Sequence, residues 1–159
     1  MILYVDGACQ GNGKSINKGG YGVVILDDNE EVVNYYQSFS ENTTNNREEL
    51  KAILYAMICY GVKEPSPWEV KAKNPPTVYS DSAYAVNTFT NWMFNWEKNG
   101  WIKSDKKEPE NLDLIQAYFE LYQQGYRINL QKVAGHKGNK WNELADALAT
   151  GRKKFDSMF

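Results

Sequence analysis

Apolar and polar positions along the chain change period several times, and each change marks an element. Ile2–Val5 is a continuous apolar run of strand type that ends at "DGACQGNGK", whose glycines and asparagine predict a turn. "GGYGVVIL" (19–26) and "VVNYYQSF" (32–39) predict two more strands, separated by the polar turn "DDNEE". Three strands joined by turns imply an antiparallel meander. Leu50, Ile53, Leu54, Met57 and Ile58 then recur at helical spacing and predict a helix from about Asn45 to Tyr60. After a Pro-rich connection (64–76), "TVYS" (77–80) reads as a fourth strand, with a helix from near Asp81 through "SAYAVNTF". "NLDLIQAYFELYQQG" (111–125) is an amphipathic helix with a glycine stop, and "YRINLQKV" (126–133) alternates as a half-buried strand does. A last helix starts near Asn139 or Lys140. The order βββ-α-β-α-α-β-α implies an α/β (α+β mixed) domain, a mixed sheet with helices packed on it.

Composition narrows this picture without redirecting it. At 159 residues, the chain suits one domain, 1–159, with a sizeable core. The net charge of −2 excludes an overall basic nucleic-acid binder but leaves room for a local basic patch. Cys9 and Cys59 lack disulfide or zinc spacing and read as free thiols of a reducing compartment, so a cytoplasmic location is expected. No apolar run approaches the roughly 20 residues of a membrane span, and "MILYV" meets Asp6 too soon for a signal peptide.

The candidate chemistry lies in the acids. Asp6 closes the first strand and Asp81 the fourth, positions suited both to a site at the sheet's rim and to turn or helix caps. On the first helix, Glu49 lies roughly 110° from the centre of the apolar stripe and Glu48 roughly 150° away, facing outward. Glu48 also completes Asn45-x-x-Glu48, a capping-box spacing, which leaves Glu49 to look across the sheet. Asp146 sits nearly opposite the stripe of Trp141, Leu144, Ala145 and Leu148, where a solvated face is the simpler reading. Four acids on four elements can nevertheless converge as a hard oxygen site for Mg²⁺. Two such ions about 3.5–4 Å apart clamp the oxygens of an in-line phosphoryl displacement. His136, the one histidine, makes no zinc site without cysteines nearby.

Four stretches, in order, resemble the motifs of type 1 ribonuclease H (bacterial ribonuclease HI): "YVDGACQGN", "TTNNREELKAI", "YSDSAYAV" and "VAGHKGNKWNELADALA". The resemblance spans nearly the whole chain. It implies a five-stranded mixed sheet of order 3-2-1-4-5 flanked by helices. It also implies hydrolysis of the RNA strand of RNA–DNA hybrids, giving 5′-phosphate and 3′-hydroxyl ends, in primer removal and R-loop clearance. Carried over by position, Asp6, Glu49, Asp81 and Asp146 are the catalytic, metal-binding carboxylates. They imply two Mg²⁺ ions, with Mn²⁺ as a substitute: Asp6 bridging both, Glu49 and Asp81 on one, Asp146 on the other. His136 falls on the family's mobile histidine, a proton shuttle or an aid to product release, in keeping with an ordinary pKa near 6.5.

The resemblance also implies substrate contacts. Asn12, Asn45 and Asn46, with Cys9 through its backbone, match positions near the minor groove, where the 2′-hydroxyl tells RNA from DNA. "NWMFNWEKNGWIKSDKK" (91–107) resembles the family's handle, which grips the DNA strand, with Trp92, Trp96 and Trp101 on its tryptophans. Lys98, Lys103, Lys106 and Lys107 remain there as phosphate contacts, while Glu97 and Asn99 replace residues often basic in the family. Thr44 and Asn95 retain a DNA-phosphate pocket in which Asn42 stands in place of an arginine, and Ala83 replaces a substrate-contacting glutamine. The expected protein is a monomeric enzyme that binds the hybrid duplex and no membrane. A non-catalytic hybrid-binding module would have lost a carboxylate, and a DNA-cutting relative of the superfamily would lack the 2′-hydroxyl-reading asparagines and the handle.

Overall fold

The computed structural model describes residues 1–11, 17–64, 74–133 and 139–154. Five strands form one sheet: β1 (Ile2–Gln10), β2 (Lys18–Leu26), β3 (Val32–Glu41), β4 (Thr77–Ser80) and β5 (Asn129–Lys132). Their order is 3-2-1-4-5, with β1–β2 and β2–β3 antiparallel and β1–β4 and β4–β5 parallel. This is the mixed sheet expected. Val62–Lys63 pairs separately with Tyr126–Arg127, so the single strand predicted over 126–133 divides at Ile128 between two ladders. No helix among the described residues is long and apolar enough to cross a membrane.

Odd positions of β1 (Leu3, Val5) face the main core with Val23 and Ile25, beneath α1 (Asn45–Tyr60). Even positions (Ile2, Tyr4) face a smaller cluster with Val24 and Leu26, beneath α5 (Lys140–Thr150). Strand alternation thus sends β1 side chains to two helices on opposite faces. Each fully buried Leu or Ile here contributes about 1.5–3 kcal/mol.

Three further sequence expectations change. β1 does not stop at Val5 but runs through the glycine-rich stretch to Gln10, because Gln10 still pairs with Lys18 across β2. Cross-strand hydrogen bonding outweighs the turn propensity of Gly7. The helix predicted from Asp81 begins two residues later and extends well beyond 89. It comprises α2 (Ala83–Asn87), a π-helical turn (Thr88–Trp92) and α3 (Met93–Lys98). Its cap is Ser82, whose hydroxyl accepts from Ala85 N at 3.1 Å, so Asp81 is spared that job. α4 spans Leu112–Gln123, and Gly125 follows at φ +98°.

The third change concerns α1. Its cap is Thr44, not Asn45: the Thr44 hydroxyl accepts from Arg47 N at 3.0 Å. Its buried set is Glu48, Glu49, Leu50, Ala52, Ile53, Ala56 and Met57, while Ile58 is 62% exposed. The helix is rolled toward its small residues, which allow close approach to the sheet, and both glutamates turn inward. Glu48, expected to face outward, is wholly buried. Its carboxylate accepts from Thr43 Oγ1 at 2.7 Å and pairs with Lys51 Nζ at 2.8 Å.

Candidate active site

Parallel pairing between β1 and β4 runs from Ile2 with Thr77 to Val5 with Ser80. Asp6 follows Val5 within β1 and Asp81 follows Ser80 just beyond the end of β4, so both stand where the two strands part. An open α/β sheet characteristically presents its site at such a place.

Two glycines bring the remaining acids there. A Cβ on Gly7 would lie 2.4 Å from Glu49 N and 2.5 Å from the Glu48 carbonyl carbon, so the first turn of α1 rests directly on β1. That contact delivers Glu49 to Asp6. On the opposite face, Gly22 pairs with Asp6, and a Cβ on it would lie 2.4 Å from Ala145 O. α5 therefore crosses over that pair and sets Asp146 against the Asp6 carboxyl. Asn139 caps α5, accepting from Asn142 N at 3.1 Å, and bonds the Tyr4 hydroxyl, which holds the helix start over β1.

Asp6, Glu49 and Asp81 each place a carboxylate oxygen within 4.8 Å of the others. Asp6 is 4% and Glu49 8% exposed, and Glu49 Oε2 has no hydrogen-bond partner. Burial, then the Glu49 and Asp81 charges, hold the Asp6 carboxyl far above the usual carboxylate range. Burial raises Glu49 as well, with the Asp81 and Asp146 charges adding to it and its bonds to Asp6 and Gly7 N opposing. These oxygens repel one another unless a proton or cation lies among them. Hard, closely grouped and partly unpartnered oxygens fit a divalent ion such as Mg²⁺.

Asp146 lies at the margin of this group. Its side chain is 43% exposed and ion-paired with Arg152. The expected solvated face on α5 is thus half right: Asp146 reaches both Asp6 and water. Asn142, one turn earlier on the same face, is buried with an unpartnered Oδ1, although the helical period places it on the solvated side. Polar surroundings of a buried amide cannot be read from a helical period.

The expected substrate contacts divide. Thr44, Asn45 and Asn46 are exposed at the start of α1. Trp92 (39% exposed) is linked to that end of α1 through three contacts. Its ring lies 6.3 Å from Tyr84, the Tyr84 hydroxyl accepts from Asn111 Nδ2 at 3.4 Å, and Asn111 Oδ1 accepts from Arg47. Asn95 and Lys98 are exposed on α3. Cys9 is half-buried, with Sγ 3.6 Å from Thr43 O. Trp96 and Trp101 pack into the core, Trp101 edge-on to Phe119 at 5.3 Å. Asn42 adopts φ +53°, a left-handed conformation that asparagine takes more readily than the arginine expected there. Asn12 and His136 lie outside the described residues.

The family model described as RNase H matches residues 1–153. A Ribonuclease H of Thermoanaerobacter sp. (strain X514) is 39% identical over 155 residues, covering 96% of this chain and 88% of that protein. LC9-RNase H1, "a type 1 RNase H with the type 2 active-site motif", superposes with a TM-score of 0.69 at 27% identity, over 94% of this chain and 70% of that one. LC11-RNase H1, solved in complex with an RNA/DNA hybrid, superposes with a TM-score of 0.59 at 23% identity, over 99% and 97%. With the acids gathered at the split sheet and a match along almost its full length, the chain belongs to the ribonuclease H family of nucleases.

Proposed function

We infer that this enzyme is an endonuclease hydrolysing the RNA strand of RNA–DNA hybrids with two divalent ions, Mg²⁺ or Mn²⁺. The observation that carries the reading is the trio of buried Asp6 and Glu49 with half-buried Asp81, with oxygens within 4.8 Å of each other at the parting of β1 and β4. Asp6 lies against Glu49, Asp81 and Asp146, and these four carboxylates would hold the ions. When bound, the ions supply a water nucleophile at neutral pH and stabilise the leaving 3′-oxygen, giving 5′-phosphate and 3′-hydroxyl ends.

The chain's own residues do the rest. α1 and β1, locked by Gly7, hold Glu49 beside Asp6 before any ligand arrives, so little reorganisation remains at the reaction. The hybrid's RNA strand lies along the α1 start, where Asn45 and Asn46 offer donors and acceptors to 2′-hydroxyls. Thr44, Trp92, Asn95 and Lys98 face the DNA strand, Asn12 and the Cys9 backbone the minor groove, and His136 moves a proton or helps the product leave. The hybrid complex of LC11-RNase H1 supports this assignment of substrate. A monomer in the cytoplasm, clearing primers or R-loops, suits the free cysteines.

Labelled hybrid, double-stranded DNA and double-stranded RNA, each incubated with Mg²⁺, Mn²⁺ or EDTA, test this. Only the hybrid is expected to be cut, only with metal, and only in its RNA strand. Hybrid binding without cleavage under both metals, or equal cutting of DNA duplex, overturns it.

Arg152 supplies a further expectation. Its guanidinium neutralises Asp146, and ion binding has to displace it. For an exposed pair that competition amounts to at most about 1 kcal/mol. Arg152→Ala is therefore expected to tighten Mg²⁺ binding by up to about fivefold in titration calorimetry. Weaker binding would show that Arg152 organises the site and does not compete for it.

A further inference from the structure

Beside the carboxylates lies a cavity of about 520 Å³. Ala8, Gln10 and Lys18 line it from β1 and β2, Phe39 from β3, and Thr150 and Lys154 from the end of α5. It adjoins the proposed catalytic centre along two elements. Ala8 is two residues beyond Asp6 on the same face of β1, about 7 Å away. Thr150 is one helical turn beyond Asp146, and its hydroxyl donates to Asp146 O at 3.0 Å. A strand of nucleic acid lying at the carboxylates therefore has this cavity as its neighbour.

The lining has the chemistry of a nucleotide. Phe39 covers Gly20 and Gly151 with one part of its ring, yet remains 49% exposed. The Lys154 ammonium lies over this ring, 4.9 Å from its centre, and a base that stacks here displaces it toward the rim. Lys18 and Lys154 bring positive charge to this cavity in a chain whose net charge is −2, with Glu41 the acid on the rim. An exposed aromatic face bordered by cations is how proteins hold unpaired bases: the ring stacks on a base and the cations take its phosphate, whatever the sequence. Paired bases of a duplex offer no free face to such a ring.

We propose that the Phe39 cavity is a subsite for unpaired nucleotides, taking a single-stranded extension of the nucleic acid that occupies the adjoining carboxylate centre. The subsite rests on the hybrid-cleaving reading above. It makes the enzyme favour hybrids at a junction with single strand over blunt ones.

Steady-state cleavage of a blunt hybrid is compared with that of the same hybrid carrying a single-stranded RNA extension. The wild type is expected to show a KM about tenfold lower for the extended substrate, the stacking of one base. Phe39→Leu keeps apolar cover over Gly20 but lacks the π-face. It is expected to raise the KM of the extended substrate to that of the blunt one, with kcat unchanged, whereas Phe39→Trp retains the preference. Lys18→Ala with Lys154→Ala is expected to flatten the salt dependence of the preference. Equal KM values in the wild type, or a preference that survives Phe39→Leu, overturns the subsite. If no hybrid is cut at all, the reading of activity fails. The subsite is then judged by anisotropy of a labelled single-stranded RNA, whose binding must weaken in Phe39→Leu.

Discussion

Replacing Asp6 with asparagine is expected to abolish hybrid cleavage and, in the absence of metal, to make the protein more stable. Asp6 is 4% exposed and surrounded by Glu49, Asp81 and Asp146. Burial and those charges hold its carboxyl far above the usual range, and Glu49 is raised as well. For an acid with a raised native pKa, the folded state binds more protons than the unfolded one once the pH exceeds the ordinary value near 4. Stability then falls as pH rises from there toward the raised values, so the metal-free enzyme should melt at lower temperature at pH 8 than at pH 5. An amide keeps the shape and removes both the charge and its desolvation. Asp6→Asn is expected to gain about 2 kcal/mol at neutral pH, or roughly 4–8 °C in Tm for a domain of this size. Its Tm should also lose most of the pH dependence.

In the wild type, millimolar Mg²⁺ should recover the same stability by neutralising the cluster. Activity in the variant should fall by about 1,000-fold or more, the loss of several kcal/mol of transition-state stabilisation. Thermal melts across pH with EDTA or Mg²⁺, beside a cleavage assay, read all of this. A variant less stable than the wild type without metal would mean that the cluster is held by bonds stronger than its repulsion. This opposition of stability and activity is what a preorganised cation site produces.

Gly7→Ala is expected to damage both fold and site. The new Cβ would meet Glu49 N at 2.4 Å and the Glu48 carbonyl carbon at 2.5 Å, and these are backbone atoms of a helix that cannot swing aside as a side chain would. α1 must lift from β1 or β1 must bend. Overpacking of this kind costs about 3 kcal/mol, or roughly 6–12 °C in Tm. Either movement also separates Glu49 from Asp6, so Mg²⁺ affinity should drop alongside stability. Gly100→Ala is the control: no atom lies within 4 Å of its Cβ, and only its φ of +74° resists, at about 1 kcal/mol. Calorimetric melts and Mg²⁺ titrations on the two variants separate a lost contact from general glycine strain. Equal effects would remove Gly7 from the account of how the site is built.

Hydrophobic period and turn residues were enough to place the elements of the sheet and the span of α1, because one buried face per element is a local property of the chain. The four motif stretches were likewise enough to single out Asp6, Glu49, Asp81 and Asp146 as candidates. The orientation of α1 was not legible in the same way. Its stripe of large apolar residues pointed Glu48 outward, but the helix rolled onto Ala52 and Ala56 because Gly7 on another element left room for its backbone. Nor could the strand ends be read: β1 outruns "DGACQGNGK" because its partner is β2, while its pairing with β4 stops just before Asp6. Local pattern thus determined which elements exist and which acids they carry. Only the tertiary structure decided that three of those acids, two of them buried, place oxygens within 4.8 Å of one another. Such proximity depends on glycines that let helices touch strands, and contact between distant segments leaves no period in either of them.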